Sequence, residues 1–185
     1  NCYCRGSCST PSRLIDKDLL IIRGASSIFK TVCLDDSFFY FLEQINLLTK
    51  KNGEGLKLPS KERLYLLLRY IRSLAEFYKK IFLRVVPSVG MGVCYYSVAV
   101  LAFILACNEF GIPSIDIQHG VQGDLHVAYG RWDAISGEGY NLLPDYFWCW
   151  SDEEAHNIYS WSGDHSKRHK PIVGGNLFLE QVQSG

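Results

Sequence analysis

Between Asp116 and Trp132 the chain reads "DIQHGVQGDLHVAYGRW", a stretch unlike an ordinary connecting loop. Loops are usually built from Ser, Asn, Asp, Gly and Pro, which solvate or turn the backbone. Here two His, a Tyr, an Arg and a Trp are interleaved with Gln and Gly. His119 follows the strand-like "SIDI" and precedes Gly120. A His so placed can hold one ring nitrogen on the fold and aim the other at a cleft, as a general base near neutral pH must. A His that only fastens the loop to backbone is an equally good reading of the spacing.

Gly120 and Gly123 bracket Val121 and Gln122. They let the backbone turn sharply and offer amides to an anion or a sugar hydroxyl. His126, Tyr129, Arg131 and Trp132 follow, then Glu138, Tyr140 and Asn141 in "GEGYNLLP". Aromatic faces beside hydrogen-bonding tips suit carbohydrate, which presents CH patches and hydroxyls together. Packing of the same rings over a core edge is the competing reading. All 5 His and all 4 Trp lie beyond Ile117, so the titratable and aromatic content concentrates in this part of the chain.

Other arrangements point away from chemistry. No Gly-Lys-Ser/Thr phosphate loop and no G-x-G-x-x-G fingerprint occurs, and no Gly-x-Ser-x-Gly elbow marks a hydrolase. His165 and His169 have the spacing of a metal pair, but in "GDHSKRHK" they read as a solvated, charged turn. Cys94, inside an apolar run with no partner evident in sequence, reads as inert. No metal is expected, because the acidic residues near the loop are scattered, and no cofactor is expected.

An alternation of strand and helix patterns positions the loop. "DLLIIRG" from Asp18 predicts a strand, and residues 37–50 a helix. Ser60 predicts the N-cap of a long helix to about Phe82, with Leu64, Leu67, Leu68, Ile71, Leu74, Tyr78 and Ile81 on its apolar face. "FLRVVPSVG" reads as a brief strand or an extended link. A buried helix is predicted from about Tyr95 to Phe110, closed by Gly111 as a left-handed cap. "SIDI", "DYFWCWS" and "KPIVGGN" read as strands, with a helix from Asp152 to Trp161. The fold class expected is α/β, a three-layer αβα Rossmann-like domain with a mainly parallel sheet, and sites in such folds lie at the carboxyl ends of the strands.

With 185 residues, 48% of them hydrophobic, one domain over 16–185 is expected, residues 1–15 being a disordered or non-native start. Lys and Arg balance Asp and Glu at 19 each, so no field attracts nucleic acid. The longest apolar run, Val93 to Cys107, is shorter than the roughly 18 residues of a membrane span, and no transmembrane segment or signal peptide is expected. The 7 Cys do not form a disulfide framework: Cys2, Cys4 and Cys8 sit in the polar opening and the rest in apolar segments. A cytoplasmic protein is expected, the inner face of the membrane being the alternative.

Taken together, "GIPSIDIQHGVQGDLHVAYGRW", "GYNLLPDYFWCW" and "KPIVGGNLFLE" resemble the amino-terminal half of bacterial surface-polysaccharide (capsular) glycosyltransferases with two facing Rossmann-like domains. They are similar at greater distance to CDP-glycerol glycerophosphotransferases. The resemblance spans roughly Val85 to Glu180, and its specific element is Gln118-His119-Gly120. It implies that His119 deprotonates an acceptor hydroxyl, with a nucleotide-sugar donor and an oligosaccharide acceptor as partners. Gln118, Gly120, Gln122, Gly123, His126, Tyr129, Trp132, Glu138 and Tyr140 are the expected substrate contacts. It also implies that "VGGN" leads toward a donor-side half that this chain lacks, supplied by a missing second domain or a partner chain. The alternative is a non-catalytic carbohydrate-binding or assembly domain dependent on a partner.

Overall fold

A computed structural model of the chain describes residues 60–176, apart from 131, 133, 134 and 165, together with Tyr40, Glu43, Gln44 and Leu47. The strand expected at "DLLIIRG" lies outside the described residues; of the helix expected over 37–50, the four described residues are helical. The chain divides into two compact units between Ser73 and Leu74.

In the first unit, beyond those four residues, the described chain is Ser60 and the start of helix α1, Lys61–Val85. It begins where the sequence places it, because Ser60 Oγ accepts from the Arg63 amide at 3.3 Å and its carbonyl from the Leu64 amide at 2.9 Å. The buried stripe of α1 runs through Ile71, Ala75 and Phe82, while Leu67 and Ile81, expected on that face, are exposed. The small Ala75 is the position the apolar pattern under-weighted, and it moves the stripe around the helix.

Among the described residues the second unit holds a four-stranded, all-parallel sheet in the order β1 (Gly90–Gly92), β2 (Ser114–Ile117), β3 (Tyr146–Cys149), β4 (Lys170–Val173). Helix α2, Val98–Phe110, joins β1 to β2, and helix α3, Asp152–Ser162, joins β3 to β4. The connection from β2 to β3 is the histidine-bearing loop itself. The expected α/β architecture with a parallel sheet is what the chain adopts.

Helix α2 starts later than its apolar run suggests, at Val98 rather than Tyr95. Residues 94 to 97 form a tight turn closed by the Ser97 amide on the Cys94 carbonyl at 2.8 Å, and Ser97 is the N-cap. It ends as expected on Gly111, whose φ of 66° only glycine adopts without strain. Against the sheet α2 approaches so closely that side chains at Gly90 or Gly92 would meet Phe103, Cys107 or Val100. Within the same unit the end of α1 rests on α2 through edge-to-face contacts of Phe82 with Phe103 and Phe110 and a Lys79–Glu109 ion pair.

Pairing places Gly92, Asp116 and Phe147 side by side on one face of the sheet. Phe147 and Cys149 share a buried cluster with Ile104 of α2 and with Ala155, Ile158 and Trp161 of α3. Both helices therefore cover this face. On the opposite face Met91, Ile117, Tyr146, Trp148 and Ile172 remain partly exposed among the described residues. No described helix is long and apolar enough to cross a membrane.

Candidate functional site

Asp116, on β2, organises the carboxyl end of the sheet. Its carboxylate is 2% exposed, accepting the Tyr95 amide on Oδ1 at 3.0 Å and the Tyr129 hydroxyl on Oδ2 at 2.6 Å. Burial pushes its pKa up to about 6, opposed by those two hydrogen bonds and by the nearby His119. Burial and the same carboxylate raise the Tyr129 phenol, and burial first, then Asp116, raises that of Tyr95. One buried carboxylate thus fixes the turn before α2 and the middle of the long loop at once.

The loop leaves β2 through Gln118, which is 3% exposed. Its Oε1 accepts the Trp150 amide at 2.7 Å and its Nε2 donates to the Gly120 carbonyl at 2.9 Å. Both ends of this amide are committed to the fold, so Gln118 holds the exit of the strand. Its neighbour His119 is exposed, with Nε2 3.0 Å from Cys94 Sγ and its ring 6.4 Å from Tyr129. Side chains at Gly120 and Gly123 would meet open space, so packing does not demand glycine at either. Gln122 is buried, and among the described residues its Nε2 has no hydrogen-bond partner.

His126 lies against Tyr129 with ring centres 4.9 Å apart, and its Nδ1 accepts the Ala128 amide at 3.1 Å. Tyr129 itself has no exposed surface, and its carbonyl accepts from Trp161 Nε1 at 3.1 Å and Asn157 Nδ2 at 3.2 Å. It therefore supports the loop from inside, where sequence reasoning expected a substrate contact. Trp132 leans on Trp161 and Tyr140, at 5.9 and 6.4 Å. Glu138 projects into solvent and pairs with Lys167 at 2.7 Å, a contact that lowers its own pKa and raises that of the lysine.

The structure thus gathers His119, His126 and Tyr129 with Cys94, Tyr95, Tyr96 and Asp116, the last four missed as site residues in the sequence. Trp132 and Tyr140 make a second aromatic group against α3. Beyond the loop, a cavity of about 460 Å³ is lined by Gln122, Gly123, Asp124, Glu153, Glu154, His156 and Asn157 among others. It lies where the loop meets the first turn of α3, and three carboxylates face it. A second hollow, about 290 Å³, sits on the open sheet face between Met91, Ile117, Trp148, Trp150 and Asn176. Among the described residues no cluster of His, Cys, Asp and Glu could hold a metal ion.

His169 departs from the solvated turn that its sequence suggests. It is fully buried, its Nδ1 donates to the Pro144 carbonyl at 2.6 Å, and its Nε2 accepts the Tyr140 amide at 2.9 Å. Those bonds fix one neutral tautomer, and burial lowers the pKa below the usual histidine value. His169 clamps the end of the loop to the start of β4. Gly139, at φ 73°, lies directly against it, and a methyl group there would collide with Nε2. Gly139→Ala is expected to cost about 2 kcal/mol, read by urea unfolding, since both the positive φ and the pinned ring oppose it. An unchanged midpoint would show that the clamp gives way freely.

Compared with protein-family models, with curated proteins and with solved structures, the chain matches none.

Proposed function

We propose that the Leu74–Gly185 unit is the acceptor side of a glycosyltransferase that extends a bacterial surface polysaccharide, working in the cytoplasm from a nucleotide-sugar donor. The placement of His119 carries this reading. Its exposed ring stands beyond the carboxyl end of β2, where ligands of parallel α/β sheets bind. The Nε2 atom already contacts a group with a mobile proton. The following residues of the same loop border a cavity rimmed by Asp124, Glu153 and Glu154. Carboxylates accept hydrogen bonds from sugar hydroxyls, and an amide such as that of Gln122 can donate to one.

In the reaction His119 Nε2 takes the proton of an acceptor hydroxyl as that oxygen attacks the anomeric carbon, and the nucleotide diphosphate departs. The buried Asp116 holds the surrounding loop in place through the Tyr95 amide and the Tyr129 hydroxyl. A carbohydrate-binding role without catalysis would rest on the acidic cavity alone and would not need His119.

The test is calorimetric titration of the folded chain with a panel of oligosaccharides, alongside transfer assays in which a donor-side half and nucleotide sugars are supplied, read by mass spectrometry. An oligosaccharide is expected to bind. Asp124→Asn combined with Glu153→Gln should weaken that binding by about tenfold, roughly the value of one or two charged hydrogen bonds. His119→Ala should leave affinity nearly unchanged and cut transfer by about 10²-fold or more. Binding with transfer insensitive to His119 would leave only the non-catalytic role, and a folded chain that binds no oligosaccharide would overturn both.

A further inference from the structure

We infer that Cys94 is a reactive thiol served by His119, a site for S-modification by low-molecular-weight disulfides and other soft electrophiles. The argument is independent of any sugar chemistry. Cys94 sits on the tight turn between β1 and the N-cap of α2, at the carboxyl edge of the sheet, with a φ of 60°. A non-glycine residue held there is strained, and such strain clusters at functional sites. The turn presents Sγ toward His119, 3.0 Å from Nε2, across 25 residues of chain. Nucleophile and base within hydrogen-bond reach is the arrangement that activates a thiol.

The neighbouring Tyr96 feels the sulfur, which raises its phenol above the usual tyrosine value. Cys94 is half-buried and His119 exposed, so a small reagent can reach the sulfur. Cys107 and Cys149 supply the contrast. Both are fully buried, and burial pushes their thiols up to about 12.

The same geometry argues against acyl transfer at Cys94. In strand–turn–helix nucleophile sites, the amide after the nucleophile stabilises the oxyanion. Here that amide, Tyr95 N–H, is already bound to Asp116 Oδ1. Disulfide exchange and alkylation need no oxyanion hole. In exchange, the Sγ proton passes to His119 Nε2 and the thiolate attacks one sulfur of the reagent. A new S–S bond forms as the old one breaks, and the departing thiolate takes the proton from the imidazolium. Cys94 is oxidised to a mixed disulfide while half of the reagent is reduced to a thiol.

The experiment treats the native chain with limiting iodoacetamide or cystamine near neutral pH and follows each cysteine separately by peptide mass spectrometry. Cys94 should be modified at least about tenfold faster than Cys107 or Cys149, and the cystamine adduct should reverse with dithiothreitol. His119→Ala should slow Cys94 by about tenfold while the other two are unmoved. Should that variant unfold by circular dichroism, His119→Gln, which keeps a polar side chain but no base, gives the same reading. Cys94 reacting no faster than the two buried thiols, or equally fast without the imidazole, overturns the inference. Neither result depends on oligosaccharide binding, so it can fail while the glycosyltransferase reading stands.

Discussion

Asp116→Ala is expected to lower the unfolding free energy by about 4 kcal/mol at about pH 5, read from urea titrations followed by circular dichroism. The carboxyl group is buried and serves two donors, so its loss leaves the Tyr129 hydroxyl and the Tyr95 amide without an acceptor. Each orphaned buried group costs about 1–3 kcal/mol, and the void adds to that. Asp116→Asn keeps the shape and an oxygen for the Tyr95 amide, while its NH2 can only donate to the Tyr129 oxygen, and it should cost less than Asp116→Ala.

The two variants also separate hydrogen bonding from charge. Burial raises the Asp116 pKa from 3.8 in the unfolded chain to about 6 in the fold. The folded state therefore binds this proton more tightly. The stability it contributes is full below the unfolded value and declines as pH rises through about 6. Relative to Asp116→Asn, the natural chain should lose on the order of 3 kcal/mol between about pH 4 and pH 7. A difference that stays flat across this window would show that the carboxyl is not desolvated.

Phe147→Ala is the second large loss, about 4 kcal/mol, the usual toll of emptying a buried aromatic site. Phe147 is 1% exposed and meets the edges of Tyr95, Tyr129 and Trp161, with ring centres 5.7, 6.1 and 5.7 Å away. It props the two tyrosines that flank Asp116, so damage should reach the loop as well as the core. Hydrogen exchange at the Tyr95 amide should accelerate in Phe147→Ala more than global destabilisation alone accounts for. In Phe147→Leu, which refills most of the volume, it should largely recover. If exchange rises only in step with overall stability, the aromatic support of the site is refuted.

Much of the fold was legible because it is written locally. The Ser60 cap, the Gly111 stop, "SIDI" as a strand and the helix from Asp152 all follow from residues within a turn of one another. The carboxyl-end position of His119 followed in the same way. What could not be read are pairings across the chain. Cys94 lies in an apolar run, and only the turn before α2, enforced by Asp116 on the Tyr95 amide, brings it to His119. Gln118 and Tyr129 have the polar tips of ligand contacts, yet their partners are Trp150, Gly120 and Asp116. His169 sits among lysine and arginine in sequence and is nonetheless interior, because Pro144 and Tyr140 satisfy both its nitrogens.

The strand order carries a consequence for how the chain reaches this state. Among the described residues each strand pairs only with its neighbours in sequence, β1 with β2, β2 with β3, β3 with β4. Among these four strands no pairing must wait for a distant segment, so their contact order stays low for a parallel sheet and each loop closure costs little entropy. Synthesis from the amino terminus delivers the strands in their order of pairing. The sheet can grow strand by strand as the chain emerges, each new edge being the template for the strand that follows.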